Sequence, residues 1–263
     1  MAGLSEQTIE SISRDLYSAE RDRRTLRPIT ETYPEIDIDT AYKIQLGLIQ
    51  LKDADGEKIV GKKIGLTSKA MQKMLNVDQP DYGHILEAMV LDNGARVAIS
   101  ELIQPKVEPE IAFVLDRDLQ GPGVTPVQVL ASTRFVVPAI EVIDSRIEGW
   151  KIKLCDTIAD NASSARVVLG GPPRHVTQLD LRLIGMVMEK NGEVAQTGAG
   201  AAVLGHPANA VAWLANAVGR FGVSLKAGEI IMPGALSAAL DVTAGDAIRV
   251  SFDGLGSVSV GFI

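Results

Sequence analysis

The chain of 263 residues has one cysteine, Cys155, so it builds neither an internal disulfide framework nor a cysteine zinc cluster. Its three histidines, His84, His175 and His206, are scattered without metal-ligand spacing, and His206, directly before Pro207, reads as a helix cap. There is no basic run and the net charge is -7, which argues against nucleic acid and against an anionic membrane surface as partners. No basic start and no apolar stretch follow Met1, so a secretory signal is not expected. Residues 198–219 carry no charge, but glycine, His206, Pro207 and two asparagines interrupt them; loop plus buried helix is expected there rather than a membrane span. Ser163 lacks the glycines of a nucleophile elbow. The run Gly198-Ala199-Gly200-Ala201-Ala202-Val203 places valine where a dinucleotide fingerprint requires glycine or alanine. A soluble cytoplasmic protein is the expectation.

What is present is a hydrophobic content of 46%, enough for a substantial core. Ile9, Ile12, Leu16 and Ala19 recur at helical spacing over 5–20, and Ala41, Ile44, Leu48 and Leu51 do so over 39–52, with Asp39 as a plausible N-cap. After a polar link, Asp53 to Lys58, strands dominate. Apolar runs between glycine and proline predict them at 58–66, 106–116, 134–144, 164–170, 183–190, 193–197, 228–232, 247–253 and 256–262. Ser68 opens a short helix toward Leu75, and a last helix starts at Pro207 with Val211, Leu214, Val218 and Phe221 on one stripe. This pattern divides the chain into an N-terminal helical segment, 1–56, and a β-rich domain, 57–263, where any catalytic residues are expected. Irregularly spaced strands with few helices between them predict an α+β fold, a mixed or antiparallel roll with helices at one end.

Glu108 and Glu110 sit in a run, Val107 to Leu115, that otherwise reads as a buried strand. Alternation along a strand puts both on one face, roughly 7 Å apart. At an effective dielectric near 20 they would repel by about 2 kcal/mol. Glu141 repeats the pattern in a second apolar run, Phe135 to Ile143. Pro109 between the first two removes a ladder hydrogen bond and marks an edge or strand end. Exposed salt bridges are the simpler reading of such acids, but the apolar neighbours leave no obvious wet face. Carboxylates inside hydrophobic strands call for a cation, and an all-oxygen set favours Mg²⁺ or Mn²⁺ over zinc.

Other candidates are less specific. In Gly61-Lys62-Lys63-Ile64-Gly65-Leu66-Thr67-Ser68 the flanking glycines allow close backbone approach to a ligand, and strand parity does not choose between the lysines. Val77-Asp78-Gln79-Pro80-Asp81-Tyr82-Gly83 is by itself a polar turn. The stretch Asp156 to Ser164 reads as a loop whose side chains satisfy themselves.

Taken together, Glu108-x-Glu110, Glu141, Gly61-x-Lys63-x-Gly65-Leu66-Thr67 and Asp160-Asn161-Ala162-Ser163 resemble the fumarylacetoacetate hydrolase superfamily, and within it the hydratase/decarboxylase branch of aromatic meta-cleavage catabolism. The resemblance runs from about residue 35 to the C-terminus. It implies a mixed, barrel-like β-roll and Mg²⁺ or Mn²⁺ held by Glu108, Glu110 and Glu141. The implied activity is hydration of a 2-oxo or 2-hydroxydienoate, 2-hydroxypenta-2,4-dienoate (2-oxopent-4-enoate), to 4-hydroxy-2-oxopentanoate. Lys63 would pair with the substrate carboxylate or enolate oxygen, with Asp78 holding it. Asp81 would orient or deprotonate the added water, and Ser163 with Asp160 would hydrogen-bond the substrate carboxylate. It also implies a homo-oligomer, associated or not with another pathway enzyme. The alternatives are 4-oxalocrotonate decarboxylase, left open by Arg146, Lys151 and Lys153, and a non-catalytic partner subunit. Asp81 resembles the hydratase form, since the decarboxylases tend to carry an apolar residue there.

Overall fold

The computed structural model describes residues 4–74 and 77–263, so Leu75, toward which the helix after Ser68 was expected to run, lies outside the described residues. Helices α1 (Glu6–Asp22), α2 (Ile29–Thr32) and α3 (Ile38–Ala54) come before any strand. The Ser5 hydroxyl caps α1 by accepting from Thr8 N–H, and the Asp37 carboxylate caps α3 by accepting from Thr40 N–H. Asp39, expected as the α3 cap, lies in the first turn, where an acid favours the positive end of the helix. The remaining helices are α4 (Lys69–Met74), α5 (Pro126–Ala131), α6 (Leu154–Ala159) and α7 (Pro207–Gly219).

The strands are β1 (Ile59–Gly65), β2 (Asp81–Leu86), β3 (Val90–Asp92), β4 (Ala95–Val97), β5 (Lys106–Leu115), β6 (Thr133–Ile143), β7 (Ser164–Leu169), β8 (Gly185–Lys190), β9 (Glu193–Ala199), β10 (Ile230–Met232), β11 (Leu240–Asp241), β12 (Ala247–Phe252) and β13 (Gly256–Phe262). Every run predicted as a strand forms one within two residues of its expected bounds. One sheet runs β2-β1-β10-β5-β6-β7-β3, with β11 also paired to β5; the other runs β4-β13-β12-β8-β9. Both are mixed: β1–β10, β3–β7 and β4–β13 are parallel and the other pairs antiparallel. The fold is α+β, two sheets face to face with no closed barrel among the described residues.

Side-chain alternation decides what each face of the long β5–β6 ribbon does. Val107, Ile111 and Phe113 of β5 join Val136, Ile140 and Val142 of β6 against Val250, Val258 and Val260 of the second sheet. The opposite face carries Glu108, Glu110 and Glu141. Pro109 sits at neither an edge nor a strand end. It lies in the middle of β5, between the stretches paired to β10 (Phe113, Val114) and to β11 (Lys106, Val107). Its carbonyl accepts from Leu236 N–H at 3.0 Å, so its missing donor faces this gap in the ladder rather than β6.

Short elements escaped the sequence. β2 falls on residues read as a turn, and α6 on residues read as a loop; neither is long enough to show a period. In α7, His206 caps the helix as expected, its Nδ1 accepting from Ala208 N–H, and Val211, Leu214 and Val218 are buried. Phe221 lies beyond the helix end and is exposed, so it does not belong to that stripe.

The helical layer is joined to the sheet through buried polar contacts. Ile12, Leu16, Ile44 and Leu48 pack with Ile158 of α6. Gln45 of α3, fully buried, donates from Nε2 to Tyr82 O in β2 and to Ile158 O in α6. Gln45→Leu leaves both carbonyls without that donor and is expected to lower unfolding free energy by about 1–3 kcal/mol. Urea denaturation measures this, and an unchanged midpoint would refute the linking role.

Candidate active site

β5 and β6 pair in a register that sets Glu108 directly opposite Glu141 and Glu110 opposite Ala139. One carboxylate oxygen from each of the three glutamates lies within 4.8 Å of the others. Glu110 and Glu141 are fully buried, and Glu108 is half-buried where it meets a cavity of about 360 Å³. Gly234 N–H donates to Glu110 Oε2 at 2.8 Å. Gly234 has φ +113°, and a Cβ there would overlap the Thr67 hydroxyl, so only glycine presents that donor. Glu110 Oε1 and both oxygens of Glu141 accept no hydrogen bond.

At this separation two ionised carboxylates repel by about 3 kcal/mol at an effective dielectric near 20. Burial raises all three pKa values; repulsion from neighbouring acids adds to it and Lys63 opposes it, and Glu108 is pushed up to about 7. Three carboxylates, two fully buried and one half-buried, with three oxygens lacking a donor, form a hard, all-oxygen donor set that fits Mg²⁺ or Mn²⁺.

The structure separates the two lysines that strand parity left open. Lys63 reaches the acid cluster: its Nζ is 3.4 Å from Glu141 Oε2 and donates to Ala162 O at 2.8 Å. Burial disfavours its charge, but Glu141, Asp81, Glu108 and Glu110 outweigh that and raise its pKa, so it stays an ammonium. Lys62 turns away and pairs with Glu229 at 2.7 Å. Of the flanking glycines, Gly61 serves packing, while Gly65 lines the cavity and makes room for Asp81. A Cβ on Gly61 would overlap Ile230 O, and one on Gly65 would overlap Asp81 Oδ1.

Asp81 opens β2 opposite Gly65, buried yet lining the cavity. Thr157 of α6 donates its hydroxyl to Asp81 Oδ2 at 3.1 Å, while Oδ1 accepts no hydrogen bond. Burial raises the Asp81 pKa against the pull of Lys63. Nothing in the sequence signalled Thr157, because α6 itself was not visible there.

Between α6 and β7 the backbone makes a left-handed turn at Asn161, Ala162 and Ser163, with φ of 52°, 49° and 56°. Non-glycine residues held there cost on the order of 1–3 kcal/mol each. Three sets of hydrogen bonds hold the turn. Asn161 bridges to β2 through His84 N–H (2.7 Å) and His84 O (2.9 Å). Asp144 N–H binds Ser163 O. Beneath the turn, buried Asp160 receives Arg146 Nε at 2.5 Å, Arg146 N–H at 3.1 Å and Ser145 Oγ at 3.0 Å. The turn aims Ala162 O at Lys63 and places Ser163 on the cavity wall.

Three expected roles change as a result. Asp160 does not line the cavity; it is the buried partner of Arg146 and holds the turn from behind. Arg146 is consumed by Asp160, Asp144 O and Ser164 O, and Lys151 and Lys153 are exposed and line no part of the cavity. Asp78 is exposed and does not hold Lys63, whose partners are Ala162 O and Glu141. Ser163 is on the cavity, but its hydroxyl donates to Asp160 Oδ2 at 3.3 Å. It must rotate to donate to a substrate, which leaves Asp160 its three other donors.

Residues 60–262 match the fumarylacetoacetate (FAA) hydrolase C-terminal family. The chain is 49% identical, over 98% of its own length and 98% of the relative's, to 2-hydroxyhexa-2,4-dienoate hydratase of Comamonas testosteroni. It is 50% identical to 2-hydroxypent-2,4-dienoate hydratase of Pseudomonas putida, over 84% of this chain and all of that one. Among solved structures, 4-oxalocrotonate decarboxylase from Pseudomonas putida G7, complexed with magnesium and adipate, superposes with a TM-score of 0.97 at 42% identity, covering 99% of both chains. The chain belongs to the fumarylacetoacetate hydrolase family.

The raised carboxylates fix the sign of a pH effect. Glu108 has an ordinary pKa of 4.5 and about 7 in the folded chain, so the metal-free fold binds more protons than the unfolded chain between those values. Metal-free stability therefore falls as pH rises from about 4.5 to about 7. Magnesium at a hundred times its Kd adds about 2.7 kcal/mol, on the order of 5–10 °C in Tm. The expected gain is large at pH 7.5 and small at pH 5 in thermal melts. Equal gains at both would reject binding through these three groups.

Proposed function

We propose that the protein is a Mg²⁺-dependent hydratase that converts 2-hydroxypenta-2,4-dienoate to 4-hydroxy-2-oxopentanoate. One observation carries the reading: Glu108, at the open side of the three-glutamate cluster, lines one cavity together with Lys63 and Asp81, and Lys63 also reaches Glu141. Relatives at 49–50% identity act on dienoates of this class, by their names.

Glu108, Glu110 and Glu141 would hold the ion, with Mn²⁺ as the other hard cation that suits them. Bound there, it supplies a Lewis acid and template for a 2-oxo acid. Lys63 stays protonated among the carboxylates and donates to the substrate carboxylate or 2-oxygen, favouring the anion formed during tautomerisation. Protonation at C5 gives the α,β-unsaturated ketone. Asp81, steadied on one oxygen by Thr157, takes a proton from water through the other as the water oxygen bonds to C4. That proton then balances protonation at C3. Ser163, rotated from Asp160, donates to the substrate carboxylate.

The decarboxylase reading shares the glutamates and Lys63. What weighs against it is Asp81: a buried carboxylate at the cavity wall with one oxygen unpartnered suits water activation and has no task in loss of CO₂. The absence of a second carboxylate in the hydratase substrate matches the sequestration of Arg146. Homo-oligomeric assembly and a cytoplasmic location accompany this proposal.

Two variants test it. Glu108→Gln is expected to lower Mg²⁺-dependent turnover more than about 100-fold, beyond what loss of an outer partner of a metal does, with the fold intact by circular dichroism. Undiminished turnover rejects the metal role. Asp81→Asn is expected to slow hydration by about 10²–10⁴-fold while solvent deuterium still enters at C5. Equal loss of both would take Asp81 out of water activation, and release of CO₂ from 4-oxalocrotonate without hydration would favour the decarboxylase.

A further inference from the structure

The sheet holds Asp81 from one side only. Asp81 is the first residue of β2, and β2 is the edge of its sheet, paired to β1 alone. Its partner Thr157 stands on α6, a helix of six residues, too short to keep its shape unaided. The contact between them, Thr157 Oγ1 to Asp81 Oδ2, therefore depends on what fixes these two short elements against each other.

The N-terminal helical layer supplies that fixture. Gln45 of α3 donates from Nε2 to Tyr82 O at 2.9 Å and to Ile158 O at 2.7 Å. One planar amide thus bridges β2 and α6, one residue beyond Asp81 and one residue beyond Thr157. A flipped amide would set its oxygen against two carbonyl oxygens, so the orientation is fixed. Gln45 Oε1, fully buried, accepts no hydrogen bond, a cost that a side chain kept for packing alone would not carry. Tyr42, three residues earlier on α3, stacks on Tyr82 with ring centroids 4.4 Å apart. From α2, Thr30 grips the residue before Thr157. Its N–H donates to Asp156 Oδ1 at 2.9 Å and its hydroxyl to Asp156 Oδ2 at 2.8 Å. Neither Gln45 nor Thr30 lines the cavity. The glutamates and Lys63 are held separately, by the β5–β6 register and by Ala162 O.

We propose that Gln45 and Thr30 are positioning residues for the hydration step: through the residues that flank Asp81 and Thr157 they set the contact between that pair, and with it the aim of the base at the water that attacks C4. The proposal rests on the reading that Asp81 activates water. It makes the helical layer part of the catalytic apparatus for one step of the reaction and not for the tautomerisation before it.

The test uses the full chain in saturating Mg²⁺, scoring hydration and entry of solvent deuterium at C5 separately. Gln45→Met is expected to lower kcat for hydration roughly tenfold or more, with KM within about twofold and deuterium entry retained. Thr30→Val, a milder change, should act in the same direction, and Thr30→Ser should restore the rate. If Gln45 acts through the Thr157–Asp81 contact, adding Gln45→Met to Thr157→Val slows hydration by no more than about twofold beyond Thr157→Val alone. Equal loss of hydration and deuterium entry, a double variant as slow as the product of its single effects, or undiminished hydration in Gln45→Met and Thr30→Val would each overturn the proposal. A crystal structure of Gln45→Met decides it independently of turnover: Thr157 is expected beyond hydrogen-bond reach of Asp81, and a retained contact refutes the positioning role. Absence of hydration by the unmodified protein defeats the hydratase reading, and that crystal structure still decides whether Gln45 sets the pair.

Discussion

Three carboxylates crowded on the face of a paired strand ribbon set the terms for everything around them. With Asp81 they place four acids against one ammonium, Lys63, in a region open to solvent only where Glu108 meets the cavity. The chain does not relieve this with its own cations. Arg146 and Lys62, both buried nearby, are each paired to a different acid, Asp160 and Glu229. A divalent cation is the charge that closes the balance, and the oxygens of Glu110 and Glu141 without donors are where it fits.

Holding such a cluster in one geometry requires stiffness on every side. The inter-sheet core, packed on the far side of β5 and β6, prevents the ribbon from slipping; a one-residue shift would turn the glutamates into that core. The gap beside Pro109 admits the loop that brings Gly234 N–H to Glu110. Opposite, the left-handed turn at 161–163 is intrinsically unfavourable and persists because Asn161, Asp160 and Arg146 over-determine it. Its product is the Ala162 carbonyl that steadies Lys63.

Much of this was legible in the sequence, and what was not has identifiable causes. The longer strands follow from apolar runs, and the shared face of Glu108 and Glu110 follows from alternation. The register that sets Glu141 opposite Glu108 is a tertiary fact, fixed by packing and absent from any local pattern. Lys62 and Lys63 occupy opposite faces of β1, and no local rule says which face is the site. Asp160 was misread because its partner, Arg146, lies on the preceding segment with no motif joining them. Asp78 was misread for the opposite reason: proximity in sequence to Asp81 suggested a shared task, but β2 starts at Asp81 and leaves Asp78 outside in solvent.

The two halves of the cavity obey different physics, and this bears on how one fold serves more than one reaction. The deep half is charged and held rigid by buried hydrogen bonds, and in the proposed mechanism it takes the part of the substrate common to all 2-oxo acids. The outer half is apolar wall, the exposed Lys106–Asp241 ion pair and the Trp150 ring, where side chains exchange with little consequence for stability. On the proposed mechanism, activation of water falls to one group between these halves, Asp81, one of whose oxygens has room because Gly65 has no Cβ while Thr157 donates to the other. A chain that exchanged Asp81 for an apolar residue would keep the anchor and the wall and lose the base. On that proposal, the boundary between hydration and other outcomes of the same anchored acid lies at one position on β2.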